Sequence, residues 1–134
     1  MTQQPGASSP DFAAELASRL NEVAPEGYTV NAENVTVVLR HHGAVVGSTE
    51  MAELVEDSEN PDLLPESLET AARAILSNVQ DWISDSSYQP WPGERSQPAP
   101  DAHATADRLE MWYGGQDHPV LKLRPLALAT VRCR

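Results

Sequence analysis

The residues best equipped for chemistry in this sequence are two adjacent histidines, His41 and His42, and the acids that follow them. Eight acidic residues and no basic residue lie within 50–69. Imidazole and carboxylate groups are common ligands of zinc and other divalent metals. One hypothesis is therefore a metal-dependent enzyme that uses His41, His42 and an acid between Glu50 and Asp57.

The spacing of these groups favours a simpler interpretation. Neighbouring residues of a β-strand point to opposite faces, so His41 and His42 converge on one ion only if a turn bends them together. The acidic stretch lacks the glycine that an EF-hand loop needs at its sixth position, and no His-Glu-x-x-His sequence occurs. We therefore predict solvated turn histidines, a solvated acidic face, no bound metal and no other cofactor.

Nucleophile and phosphate-binding motifs are absent from the sequence. There is no Gly-x-Ser-x-Gly elbow, no Ser-x-x-Lys pair and no glycine-rich loop followed by a lysine. The single cysteine, Cys133, has no neighbouring base that would activate it. We therefore predict that the protein is not an enzyme, and we assign no catalytic residue.

Aromatic side chains are the other candidates for a functional site. Tyr88 and Trp91 lie in a proline-rich stretch, where an aromatic ring can pin its own loop or contact a partner. Trp112 alternates with apolar neighbours, so we expect it to be exposed or covered by something else. Because Trp and Tyr often anchor interfaces, we predict that Tyr88, Trp91 and Trp112 bind a partner, with Arg124 as an electrostatic guide.

The net charge excludes some partners and suggests others. Nine basic residues oppose twenty acidic ones, which gives a net charge of −11. Such a chain is repelled by nucleic acids and by anionic membranes. From Arg108 onward, however, five basic residues oppose two acidic ones, an asymmetry that favours self-association or docking. A further alternative is an acidic DNA mimic that inhibits a DNA-binding protein, with the acids of 50–69 in place of phosphates.

Hydrophobic periodicity predicts the elements that position these residues. Apolar residues at helical spacing predict one helix over about 11–24 and a longer one over about 66–84. Alternating residues predict one β-hairpin within 35–49 and a second within 108–124.

These elements predict a single α+β domain. Residues 1–8 form a flexible tail, and 9–134 form the domain, with a proline-rich loop at 85–106. Because layers with one apolar face bury each other, we expect a helix–hairpin–helix–hairpin order. The antiparallel sheet has four or five strands, and the helices pack on one of its faces.

The helix at 11–24, the strands from Val35 to Thr49, the helix at 66–84 and the hairpin at 108–124 together resemble the small acidic α/β chaperones of bacterial secretion systems. The resemblance implies a homodimer that binds an extended segment of a partner protein, and it assigns no binding residue. We therefore predict a bacterial, non-catalytic, chaperone- or adaptor-like module that binds a partner through a sheet surface and aromatic anchors. We expect a cytoplasmic location, since the sequence shows no secretory signal.

Overall fold

The computed structural model describes residues 6–7, 9–50, 63–93, 98–105, 107–115, 117–127 and 132–133. The chain has an α+β fold, as the sequence predicts. Its elements are β1 (Gly6–Ala7), α1 (Ser9–Val23), β2 (Tyr28–Glu33), β3 (Thr36–His41), β4 (Ala44–Glu50), α2 (Leu63–Ser87), β5 (Pro100–Ala104), β6 (Arg108–Gly114), β7 (Pro119–Lys122), β8 (Leu126–Ala127) and β9 (Arg132–Cys133).

Two antiparallel sheets replace the single sheet that we expected. One has the order β2-β3-β4, and the other has the order β5-β6-β7 with β8 also paired to β6. A short ribbon joins β1 to β9, so Gly6–Ala7 of the predicted tail pairs with Arg132–Cys133. The two larger sheets remain separate because α2 packs against both β4 and β5 and occupies the edge of β5.

Helix α1 buries one apolar stripe, as its periodicity predicts. Phe12, Leu16 and Leu20 recur at helical spacing and are fully buried. The helix packs mainly on β2. It ends at Val23, and the chain then turns through Gly27, whose φ of 90° lies in the left-handed region that glycine tolerates.

The predicted hairpin around His42 and Gly43 is present. These two residues connect β3 to β4 and have φ angles of 51° and 86°. Two-residue hairpin turns favour positive φ at both central positions because this backbone matches the twist of the strands. The turn therefore holds His42 in a conformation that redirects its side chain.

Helix α2 supplies the longest buried face of the molecule. Its stripe enters the common core with α1 and both large sheets. The fully or nearly fully buried members are Leu68, Ala72, Ile75, Leu76, Val79 and Ile83. Trp82, which lies on the same helix, is half-buried and packs against this core.

The stretch 85–106 is not the continuous loop that we expected. Helix α2 continues to Ser87, and β5 covers Pro100–Ala104. This strand contains no β-branched residue and two alanines, so its local sequence gives no strand signal. It forms because β6 pairs with one of its edges and side chains of α2 form hydrogen bonds with backbone groups at the other edge.

Candidate functional site

A pocket of about 290 Å³ lies where the end of α2 meets β2 and the end of β3. Ile83 and Tyr28 contribute buried apolar surface to it, and Trp91 contributes a half-buried indole ring. Glu26 and His41 contribute polar groups. The sequence had singled out Trp91 and His41, but it gave no reason to place them at one site.

Three aromatic rings form a stack beside this pocket. Tyr28 and His41 are cross-strand partners in the β2–β3 ladder, and their rings lie 4.2 Å apart at 11°. The rings of His41 and His42 are also 4.2 Å apart, at 36°. The turn therefore does bend the two histidines to the same side, where they pack on each other and on Tyr28.

Gly27 leaves the space that this stack needs. A β-carbon at this position would lie 2.9 Å from Cε1 of His42, and the φ of 90° disfavours a side chain as well. Tyr28 is held from its other end by a hydrogen bond between its hydroxyl and Oγ of Ser86 on α2. The stack is therefore fixed by both the turn and the helix.

Trp91 pins the segment after α2 to the body of the protein. Its indole contacts Tyr113 edge to face, with ring centroids 5.2 Å apart. Its backbone N–H donates to Oγ of Ser84 at 3.1 Å. Tyr113 behind it is fully buried and donates its hydroxyl to the Leu76 carbonyl at 2.8 Å. This burial raises the pKa of Tyr113 well above its usual range.

Tyr88, unlike Trp91, is almost fully exposed. It follows the last residue of α2, its φ is 59°, and 93% of its surface is exposed. The two residues that flank it, Ser87 and Gln89, both line the pocket. Oγ of Ser87 donates to the Gln89 carbonyl at 3.3 Å, so a hydrogen bond spans Tyr88 and supports its backbone. An exposed ring therefore projects beside the pocket.

The other two predicted partner-binding residues do not join this site. Trp112 alternates along β6 with Met111 and Tyr113 of the core cluster and is only 4% exposed, so its ring is covered and not accessible. Its indole N–H is buried, with no acceptor among the described residues. A surface anchor must be accessible, so we do not retain Trp112 as one.

Arg124 is engaged in an ion pair with α1. Its Nη2 lies 2.6 Å from Oε2 of Glu22, and its Nε also donates to that carboxylate. The hydrogen bond from Arg124 lowers the pKa of Glu22. Arg108 and Lys122 both contact Glu110, at 3.2 Å and 3.5 Å. Arg124, which was expected to guide a partner, is thus paired within the chain, as are Arg108 and Lys122.

Several observations bear on metals and membranes. No group of three His, Cys, Asp or Glu side chains within the described ranges could hold a metal ion. Residues 51–57, which include most of the acids of the metal hypothesis, lie outside the described residues. The described helices include none whose length and apolar character would suffice to cross a bilayer.

Sequence reasoning missed Glu26 and Tyr28 as components of the site. The available signal was the short Glu26-Gly27-Tyr28 link between an apolar-striped helix and a strand, which places both residues at one end of β2.

No protein-family model, curated protein sequence or solved structure matches this chain.

Proposed function

We propose that this protein is a non-catalytic, chaperone- or adaptor-like interaction module that binds an extended segment of a partner protein. The binding surface is the aromatic corner, which we define as Tyr88, Trp91 and the pocket beside them. The observation that carries this proposal is Tyr88, a tyrosine that is 93% exposed and held in a left-handed conformation.

Both properties of Tyr88 are unfavourable in the isolated protein. The left-handed backbone brings the β-carbon of any residue other than glycine close to a carbonyl oxygen. The exposed ring leaves a large apolar surface in water. Tyrosine is enriched among residues that dominate binding energy, because its ring buries a large area and loses little conformational entropy. A partner that covers the ring would offset the second of these costs.

The pocket and the rigidly held Trp91 also favour partner binding at the aromatic corner. Trp91 is held by Tyr113 and Ser84, so it presents a rigid wall. A rigid surface loses little entropy on binding, which favours affinity for a given contact area. An extended segment could place one side chain in the pocket and pack its next residues against Tyr88.

The test compares two variants in affinity capture from the native host. Tyr88→Asn removes the ring, and asparagine tolerates the left-handed backbone, so the fold is retained. Val120→Ser is the matched control, because Val120 is another exposed apolar side chain, at 54%, on β7. We expect Tyr88→Asn to lose a partner that the wild type and Val120→Ser both retain. Capture that is identical for all three proteins would contradict the proposed surface.

A second part of the proposal is self-association through β4. Within the described part of the chain no strand pairs with the outer edge of β4, and Val45 is 59% exposed there. Between Ala44 and Glu50 the strand contains neither proline nor lysine, the residues that usually protect such edges. Two copies of β4 could pair antiparallel around a twofold axis and extend both sheets.

Solution mass tests this self-association. A dimer is expected for the wild type by analytical ultracentrifugation. Ser48→Pro interrupts hydrogen bonding along β4, and Val120→Lys is a control that charges a different edge strand. A monomeric wild type, or a dimer that persists in folded Ser48→Pro, would contradict pairing through β4.

A further inference from the structure

The charges around the pocket of the aromatic corner have one sign. Glu26 lines the pocket, and no lysine or arginine among the described residues does so. No hydrogen bond or ion pair joins the Glu26 carboxylate to any other described residue. An anionic occupant would therefore meet an uncompensated negative charge, whereas a cationic occupant would neutralise it.

The walls of the pocket suit a flat cation with an apolar stem. Trp91 presents an aromatic ring outside the stack of Tyr28, His41 and His42. Ile83 and the neighbouring prolines present apolar surface. Aromatic faces attract cations, and a planar guanidinium can also stack on them. The apolar surface can accommodate the methylene groups that carry such a head group.

The size of the pocket limits what can enter. Its volume of about 290 Å³ lies just below the range of about 300–1,000 Å³ for sites that hold drug-sized ligands. A single large amino-acid side chain is therefore a better match than a cofactor or an oligomer. The net charge of −11 attracts a basic partner to the protein as a whole.

We propose that the pocket receives one arginine side chain of the partner segment, with its guanidinium stacked on the indole ring of Trp91 and paired with Glu26. This inference rests on the proposed function and adds the chemistry of the residue that is recognised. The specificity follows from Glu26 and from the absence of a basic lining residue in the described part of the pocket.

The test uses blocked amino acids as probes, so it does not require the natural partner. Nα-acetyl-arginine N-methylamide is titrated against full-length protein, and binding is followed by the NMR signal of the Trp91 indole N–H. Blocked citrulline has the same shape without the charge, and blocked lysine carries the charge without the planar head group. We expect arginine to bind about fivefold to thirtyfold more tightly than citrulline, with lysine between them.

Two variants assign the selectivity to the pocket. Glu26→Gln is expected to weaken arginine binding by about threefold and to leave citrulline binding unchanged. Asp117→Asn removes the same charge from an exposed turn that does not line the pocket, and it should leave both probes unaffected. Equal effects of the two variants would mean that the net charge, and not the pocket, attracts the probe, which overturns the inference.

The remaining outcomes separate this inference from the proposed function. If citrulline or blocked leucine binds Trp91 as tightly as arginine, the pocket is not selective for a cation and the inference fails. If no probe shifts the Trp91 signal, the inference fails as well. In both cases the partner-binding surface is still judged by the capture experiment on Tyr88→Asn, which makes no use of arginine recognition.

Discussion

Tyr88 occupies the position after the last residue of α2, where helices most often carry a glycine. Its φ of 59° lies in the left-handed region, which is unfavourable for a residue that carries a β-carbon. We expect Tyr88→Gly to stabilise the protein by about 0.5–1 kcal/mol, because it removes this strain and the exposed ring makes few contacts. The measurement is the free energy of unfolding in urea.

Tyr88→Ala separates the backbone effect from the loss of the ring. Alanine keeps the β-carbon, so it should give little or none of the stabilisation that glycine gives. Both variants should lose partner binding. Equal stability of the glycine variant and the wild type would show that the left-handed backbone is not strained. If the glycine variant is the more stable protein, Tyr88 weakens the fold and exposes a ring, and the proposed partner binding accounts for its presence.

Gly47 on β4 allows Trp82 to approach the strand closely, and both residues are half-buried. A β-carbon on Gly47 would lie 2.3 Å from Cδ2 of Trp82, which is a rigid ring that cannot bend away. We expect Gly47→Ala to destabilise the protein by about 1–3 kcal/mol, since the ring must move out of its packed position.

The matched control for Gly47 is Gly115→Ala. A β-carbon on Gly115 would meet no described atom within 4 Å, and its φ lies outside the left-handed region. This variant should unfold at the same urea concentration as the wild type. If both alanine variants behave alike, the contact between Trp82 and Gly47 is not tight in solution.

At the scale of elements, α2 replaces a neighbouring strand along the outer edge of β5. Glu69 accepts the Ala104 N–H at 2.7 Å, Arg73 donates to the Ala102 carbonyl at 3.2 Å, and Gln80 donates to the Pro98 carbonyl at 2.6 Å. Glu69 and Arg73 therefore satisfy backbone groups of a strand edge that would otherwise be open to other chains, and Gln80 holds the segment just before the strand.

Removing one of these side chains should destabilise the edge. Glu69→Ala leaves the Ala104 N–H without its acceptor, and we expect a loss of about 1–3 kcal/mol in the free energy of unfolding. Glu69→Gln retains an acceptor oxygen and should lose less. Hydrogen exchange at the Ala104 amide provides a local readout, which should accelerate in the alanine variant. Unchanged exchange would contradict the role of α2 as a partner of the β5 edge.

This arrangement explains which elements the sequence could predict. The stripe of Phe12, Leu16 and Leu20, and the turn at His42 and Gly43, carry local signals that survive in the structure. Strand β5 carries no such signal, because its stability comes from β6 and from side chains of α2 that are distant in sequence. The division into two sheets was missed for the same reason.

The candidate site was predictable only in part. Trp91 and Tyr88 were identified from residue type, but the pocket depends on the β2–β3 register, which pairs Tyr28 with His41. The burial of Trp112 and the pairing of Arg124 with Glu22 are tertiary effects that join residues far apart in the chain. Local periodicity contains no information on such contacts.

At the scale of the whole molecule, the basic residues that the sequence suggested would attract a partner are neutralised by acidic residues of the same chain, as far as the structure describes them. The basic residues of the C-terminal sheet pair with Glu110 and Glu22, so the described surface offers a partner little free positive charge. The acidic excess is left uncompensated. Binding of a basic partner should therefore weaken as ionic strength rises, in line with arginine recognition at Glu26.

The stability of the whole fold should also depend on pH through Tyr113. Burial, with a smaller contribution from the charge of Asp81, raises its pKa above the ordinary value of about 10. The folded state therefore keeps this proton at a pH where the unfolded chain has lost it. Stability is fully present below pH ~10 and falls above it, by up to about 1.4 kcal/mol per pH unit.

Tyr113→Phe isolates this effect. The variant loses the hydrogen bond to the Leu76 carbonyl, so at neutral pH we expect it to be less stable than the wild type by about 0.5–1.5 kcal/mol. Because phenylalanine has no proton to retain, the deficit should shrink above pH ~10 and then reverse. Tyr88→Phe, which removes an exposed hydroxyl, should follow the wild-type curve throughout. Parallel urea-unfolding curves for Tyr113→Phe and the wild type between neutral and alkaline pH would show that the Tyr113 hydroxyl reaches water in the folded state. The packing of Trp91 over that ring would then be looser than the aromatic corner requires.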